Sequence, residues 1–176
     1  MTEWHSSFLA DIRATFAAQR QLAERAIEQL DEAQLFRAPA VGENSVAVLM
    51  KHVGGNLRSR WREPFTTDGE KPDRHRDSEF AVSSDESEAA IHMVWADGWS
   101  ILEETLAGLT DADLGRSVAI RHQRVALPLA LLRSLAHTAQ HTGQIVLLAR
   151  HWKGDEWETL SIPRGRSADY LARPPE

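Results

Sequence analysis

Apolar residues recur at three- and four-residue spacing in four stretches of the chain, the mark of helices with one buried face. Phe8, Ile12, Phe16, Gln19, Ala23, Ala26 and Leu30 share one stripe, which predicts a first helix over 3–30. Pro39 and Gly42 break the period, and Asn44-Ser45 offers side-chain oxygens that can accept hydrogen bonds from the free amides of a new first turn. A second helix is therefore predicted from Val46, with Val46, Leu49, Met50, Val53, Leu57 and Trp61 inward and Pro64 marking its end. Residues 64–82 have no period and hold Pro64, Gly69, Pro72 and dense charge, a pattern read as a long ordered loop.

Ser83 and Glu86 have capping-box spacing, and Ile91, Val94, Trp95, Leu102, Leu106 and Leu109 follow, so a third helix is predicted over 85–109. Ser117 to Val125 is too short and too β-branched for a helix and reads as two short strands around a tight turn. Pro128 suits a first helical turn. Leu129, Leu132, Leu135, Ala136, Ala139, Gly143, Val146 and Trp152 then predict a last helix over 127–152, ended by Gly154. The simplest architecture is an all-α four-helix bundle with a long crossover loop and a short β-hairpin before the last helix. It forms a single domain over 1–176, with the bundle over 1–155 and an irregular arm over 156–176.

Composition narrows the chemistry. The chain of 176 residues has no cysteine, so disulfides, thiolate zinc knuckles, iron–sulfur clusters and cysteine nucleophiles are excluded, and any metal must be held by His, Asp or Glu. Lys and Arg number 20 against 26 for Asp and Glu, a net charge of −6 that argues against nucleic acid as a partner. No apolar run approaches the ~20 residues that span a bilayer, and the first ten residues lack a signal pattern, so no membrane partner and a cytoplasmic location are expected.

Eight histidines and six tryptophans stand out. His137 and His141 lie four apart on the last helix, so their imidazoles sit one turn above each other and can reach one ion. Thr138 follows the first of them where a zincin needs Glu, which excludes that protease reading. A solvated or hydrogen-bonded pair is the ordinary alternative. Small neighbours and the adjacent apolar stripe favour a metal, because imidazoles near a core need partners for their nitrogens.

His52 is the candidate third ligand, its ordinary alternative being a satisfied histidine at the core edge. It is followed by Gly54-Gly55, a pair that costs helix stability and so suggests close approach of another element or a ligand. Three histidines from two helices, with a fourth position open, suit a catalytic rather than a structural site. Asn56, Gln140 and Gln144 are candidates to orient imidazoles or a bound substrate. No residue is assigned as general base.

His5, His75, His122 and His151 stand apart, and Glu88 with His92 reads as a surface ion pair. The tryptophans Trp4, Trp61, Trp95, Trp99, Trp152 and Trp157 read as core or interface packing. Asp73, Arg74, Arg76, Asp77 and Glu79 alternate in sign, which allows buried bidentate pairs that fix the loop, with Arg74 and Arg76 both partly buried. Arg58, Arg74 and Arg76 can alternatively hold an anionic substrate group.

Two segments, Pro39 with GlyGluAsnSerValAlaValLeuMetLysHis at 42–52 and HisThrAlaGlnHisThrGlyGlnIle at 137–145, resemble the DinB-like superfamily of four-helix-bundle metalloenzymes over nearly the whole chain. GlyAsnLeuArg at 55–58 and AspArgHisArgAspSerGluPhe at 73–80 are similar to an uncharacterised subfamily of that group. The resemblance implies an up-down-down-up bundle, a homodimer, and an ion held by His52, His137 and His141. It also implies a thiol-dependent transferase or isomerase with a low-molecular-weight thiol cosubstrate, while an ion on three imidazoles that lowers the pKa of a bound water or thiol suits a transferase or hydrolase acting on a small-molecule ligand. Zinc or nickel heads the list of divalent ions, with iron, manganese or copper behind. The rival expectation is a non-catalytic dimeric stress-response bundle that binds a metal or small ligand.

Overall fold

The computed structural model describes residues 2–83 and 86–171, with side chains over 8–83 and 86–169. Four main helices carry the fold: α1 (Thr2–Ile27), α3 (Val46–Trp61), α4 (Glu88–Gly108) and α5 (Leu127–Lys153). Between α1 and α3 lies a one-turn helix, α2 (Glu32–Phe36), held by a capping box between Asp31 and Gln34. Strands β1 (Ser117–Ile120) and β2 (Gln123–Ala126) form an antiparallel hairpin that pairs Val118 with Val125 and Ile120 with Gln123. A short helix, α6 (Ser167–Leu171), follows the last bundle helix.

The predicted stripe of α3 is buried throughout: Val46, Leu49, Met50, Val53, Leu57 and Trp61 are each no more than 2% exposed. Ser45 caps the helix, its side chain accepting from the Val48 amide at 3.2 Å. The bundle closes as a ring in which α1 packs on α5, α5 on α3, α3 on α4, and α4 back on α1. Arg13 of α1 fastens that last contact by donating to the Leu106 and Leu109 carbonyls at the C-terminal end of α4, at 2.7–2.9 Å.

The closest approach is between α3 and α4. A Cβ on Gly98 would fall inside the backbone of Gly54, and one on Gly54 would meet the Val94 carbonyl. The glycine in α3 is therefore matched by one in α4, and the two backbones touch.

Two expectations are corrected. Helix α4 begins at Glu88 under a Ser87 cap that accepts from the Ala90 amide, not at the Ser83–Glu86 box. Glu86 is instead drawn to Lys51 at 2.7 Å, which removes it from any capping role. On α5 the buried face is Leu127, Ala130, Leu131, Ser134, Thr138, Thr142, Ile145 and Ala149, whereas Leu129 and Leu132 are about half exposed. Apolar residues occur around most of that helix, and packing against α1 and α3 selects a face on which Ser134, Thr138 and Thr142 lie among Leu127, Leu131 and Ile145. In the C-terminal arm Trp157 and Leu160 pack on the core, and Gln29, just past the end of α1, bonds the Glu158 backbone through both its amide atoms.

The loop over 62–82 is tied down along its length. Ser59 donates to the Gly69 carbonyl at 2.7 Å and accepts from the Lys71 amide at 3.1 Å. Asp68 accepts from the amides of Glu70, Arg121 and His122 at 2.7–2.8 Å, which holds the hairpin turn. That turn places Arg121 and His122 at positive φ of 53° and 63°, a conformation that side chains other than Gly and Asn resist. The three amide bonds pull the Asp68 carboxyl down to about 2 and offset the strain. Among the described residues no helix is long and apolar enough to cross a membrane.

Candidate metal centre

His52 sits in the middle of α3, 4% exposed, and faces His137 and His141 of α5. One ligand atom from each of the three lies within 4.8 Å of those of the others. His52 Nε2 is 3.1 Å from His137 Nε2, and His141 Nε2 is 3.2 Å from the same atom. Three imidazole nitrogens bound tetrahedrally at about 2.0–2.1 Å from one ion would stand roughly 3.3–3.4 Å apart, close to this spacing.

The outer nitrogens fix the tautomers. His52 Nδ1 lies 2.8 Å from Glu79 Oε2, and a carboxylate only accepts, so the proton is on Nδ1 and the Nε2 lone pair points into the cluster. His141 Nδ1 donates to Gln144 Oε1 at 2.7 Å, with the same result. His137 Nε2 can offer one proton at most, so the centre holds more lone pairs than hydrogens. A further proton does not resolve the deficit: burial, then the neighbouring His141 and His52, pushes His137 down to about 4. Burial also lowers His141, with the Gln144 bond opposing it. Three imidazoles with convergent ring nitrogens are a donor set suited to a divalent cation.

Glu79 is the residue that sequence reasoning placed only in a charge pattern. It lies on the 3-10 turn Arg76–Phe80, buried, and takes two bonds from Arg74, Nε at 2.7 Å and Nη2 at 2.9 Å, besides the one from His52. Burial alone would raise its pKa; the His52 and Arg74 bonds and the Arg74 charge outweigh that and hold it below the usual carboxylate range. The expected buried bidentate pair is therefore Arg74–Glu79. Arg76 does not join it: its side chain is 51% exposed, 3.9 Å from Asp77, and lies over the Phe80 ring. Phe80 in turn lies 4.7 Å from the His52 ring and shields it.

The other candidates separate cleanly. Gln144 orients His141, whereas Gln140 is exposed and makes no side-chain hydrogen bond among the described residues. Asn56 lines a cavity beside His137. Arg58 pairs with Asp97 at 2.9 Å and Arg74 with Glu79, so neither is free for an anion in the way the sequence allowed. Glu88 and His92 form the expected surface pair at 3.6 Å. His75 and His122 lie away from the cluster, and the side chains of Trp4 and His5 fall outside those described.

A family model described as "Protein of unknown function (DUF1572)" matches residues 3–166. The chain belongs to the DUF1572 family. No curated protein matches it. The two short motifs of this DUF1572 chain acquire structural meanings. In the first, Gly55 makes room for Glu79, Asn56 faces the cavity and Arg58 pairs with Asp97. In the second, Asp73 pairs with Arg62, Arg74 with Glu79, Arg76 with the Phe80 ring, and Glu79 with His52.

Proposed function

We propose that this protein is a metal-dependent enzyme of the DinB-like kind, a transferase or hydrolase that holds one divalent ion on His52, His137 and His141. The observation that carries the reading is the set of three converging Nε2 atoms, two of them fixed as lone-pair donors by Glu79 and Gln144. An ion bound there supplies a position at which a water or a low-molecular-weight thiol loses its proton near neutral pH.

The chain's own residues orient and exclude. Glu79 and Gln144 hold two imidazoles in the tautomer that leaves Nε2 free, and Phe80 keeps water from the His52 ring. Glu79 accepts three hydrogen bonds, two from Arg74 and one from His52, and its role is to position a ligand rather than to serve as a base. Asn56 presents an amide to the adjoining cavity that is free of side-chain hydrogen bonds among the described residues, placed to orient a bound substrate.

Elemental analysis of the purified, untagged protein tests the proposal. About one zinc, nickel or other divalent ion per chain is expected in the wild type, and a small fraction of that in His52→Ala and His141→Ala at unchanged helicity. A wild type that carries no ion and takes none up on dialysis against zinc and nickel would sink it and favour a non-catalytic bundle. A loaded protein then justifies a screen of electrophiles with thiol cosubstrates.

A further inference from the structure

Beside the three imidazoles, α3, the hairpin and α5 enclose a cavity of about 140 Å³. His137 stands at one side, Trp61, Val118 and Ile120 give it an apolar wall, and Arg60 and Arg133 line it with two guanidinium groups. The cations are short of counter-charge. Arg60 is 16% exposed at its side chain and reaches one carboxylate, Glu70, at 3.3 Å. Glu70 is shared with Arg74 at 3.5 Å and Arg121 at 3.0 Å.

Arg60 Nη1 is buried and has no hydrogen-bond partner among the described residues. Burial, with the charges of Arg74 and Arg121 adding to it, outweighs the help of Glu70 and lowers the Arg60 pKa. Arg133 has no carboxylate partner among the described residues. In a chain with 26 acidic and 20 basic residues, composition does not force such a surplus of positive charge. A buried guanidinium with an unmet N–H gains most from a carboxylate, which accepts in the plane of the fork.

We infer that this cavity is the substrate pocket and that it takes a small organic carboxylate. The carboxylate is held by Arg60 and Arg133, the apolar body rests on Trp61, Val118 and Ile120, and the remaining end reaches His137. The inference rests on the metalloenzyme reading for its catalytic meaning, while the anion selectivity stands on the two arginines alone.

Calorimetric titration of the purified full-length protein with 3-phenylpropionate and with its uncharged isostere 3-phenylpropanamide tests it. The acid is expected to bind about tenfold tighter than the amide or better. Arg133→Gln, at an exposed position where folding is not at stake, should bring the two ligands to similar affinity without weakening the amide, and Arg60→Gln should do the same. Arg58→Gln, which breaks only the pair with Asp97, should leave the preference intact. Equal affinity of acid and amide, binding of neither, or a preference that survives in Arg133→Gln overturns the inference. Repeating the titration on His52→Ala separates the two proposals: a preference that persists without metal supports the pocket even if the ion reading fails. A metal-loaded wild type indifferent to the carboxylate refutes the pocket alone.

Discussion

The carboxylate of Glu79 rests against the Cα of Gly55, in the space that a Cβ at position 55 would fill. The same carboxylate holds His52 and Arg74, so it is not a loose chain end that can swing aside. A residue three positions beyond His52 on α3 thus sets where a loop residue can meet that imidazole.

Gly55→Ala is accordingly expected to act on the metal site through Glu79. The added methyl favours the helix by about 1 kcal/mol but displaces a buried ion pair, so a net loss of roughly 1–3 kcal/mol is expected. Metal affinity should fall about 10- to 100-fold, as for other losses of an imidazole's outer partner. Metal titration with circular dichroism checks both, and an unchanged affinity would show that Glu79 does not position His52.

Gly98→Ala should damage the bundle without touching the site chemistry. Its methyl would enter the backbone of Gly54, where neither helix can yield without separating. A loss of about 3 kcal/mol or more is expected, read as the shift in the denaturant midpoint. A variant as stable as the wild type would mean that α3 and α4 are not in backbone contact.

Gln144 and Gln140 give an internal contrast on one helix. Gln144→Ala removes the acceptor of His141 Nδ1 and should weaken metal binding about tenfold. Gln140→Ala removes no hydrogen bond and should leave it unchanged. Equal effects would argue that the bond to His141 contributes nothing.

The metal-free protein should lose stability as pH falls from about 6.5 toward about 4. His137 in the folded chain is lowered from 6.5 to about 4 by burial and its neighbours, while in the unfolded chain it takes up a proton near the ordinary value. Folding therefore opposes protonation across that window, and the contribution is complete above it. Denaturation midpoints of wild type and His137→Gln measured from pH 7 to 4 check this: the variant should show the shallower decline. Parallel curves would place the loss elsewhere.

Much of the frame was legible because helices report locally. The stripe of α3, its Ser45 cap and the pairing of His137 with His141 follow from spacing of three or four along one helix, and Gly54-Gly55 announced a close approach. The face of α5 was not legible: apolar residues surround it, and only packing against α1 and α3 decides that Thr138 and Thr142 turn inward while Leu129 and Leu132 stay half exposed. The Arg-carboxylate alternation likewise could not say that Arg74 would be buried and Arg76 left outside.

The sequence by itself determined the helices, the three histidines and the absence of cysteine chemistry, all of which depend on residue type and short spacing. Tertiary structure alone decided the partners of His52. Glu79 is 27 residues from His52, and His137 is 85, so no local period relates them. Their meeting depends on the α3–α5 contact and on a loop held over α3 by Ser59 and Arg60, because a hydrogen bond is satisfied by distance in space and carries no trace of distance along the chain.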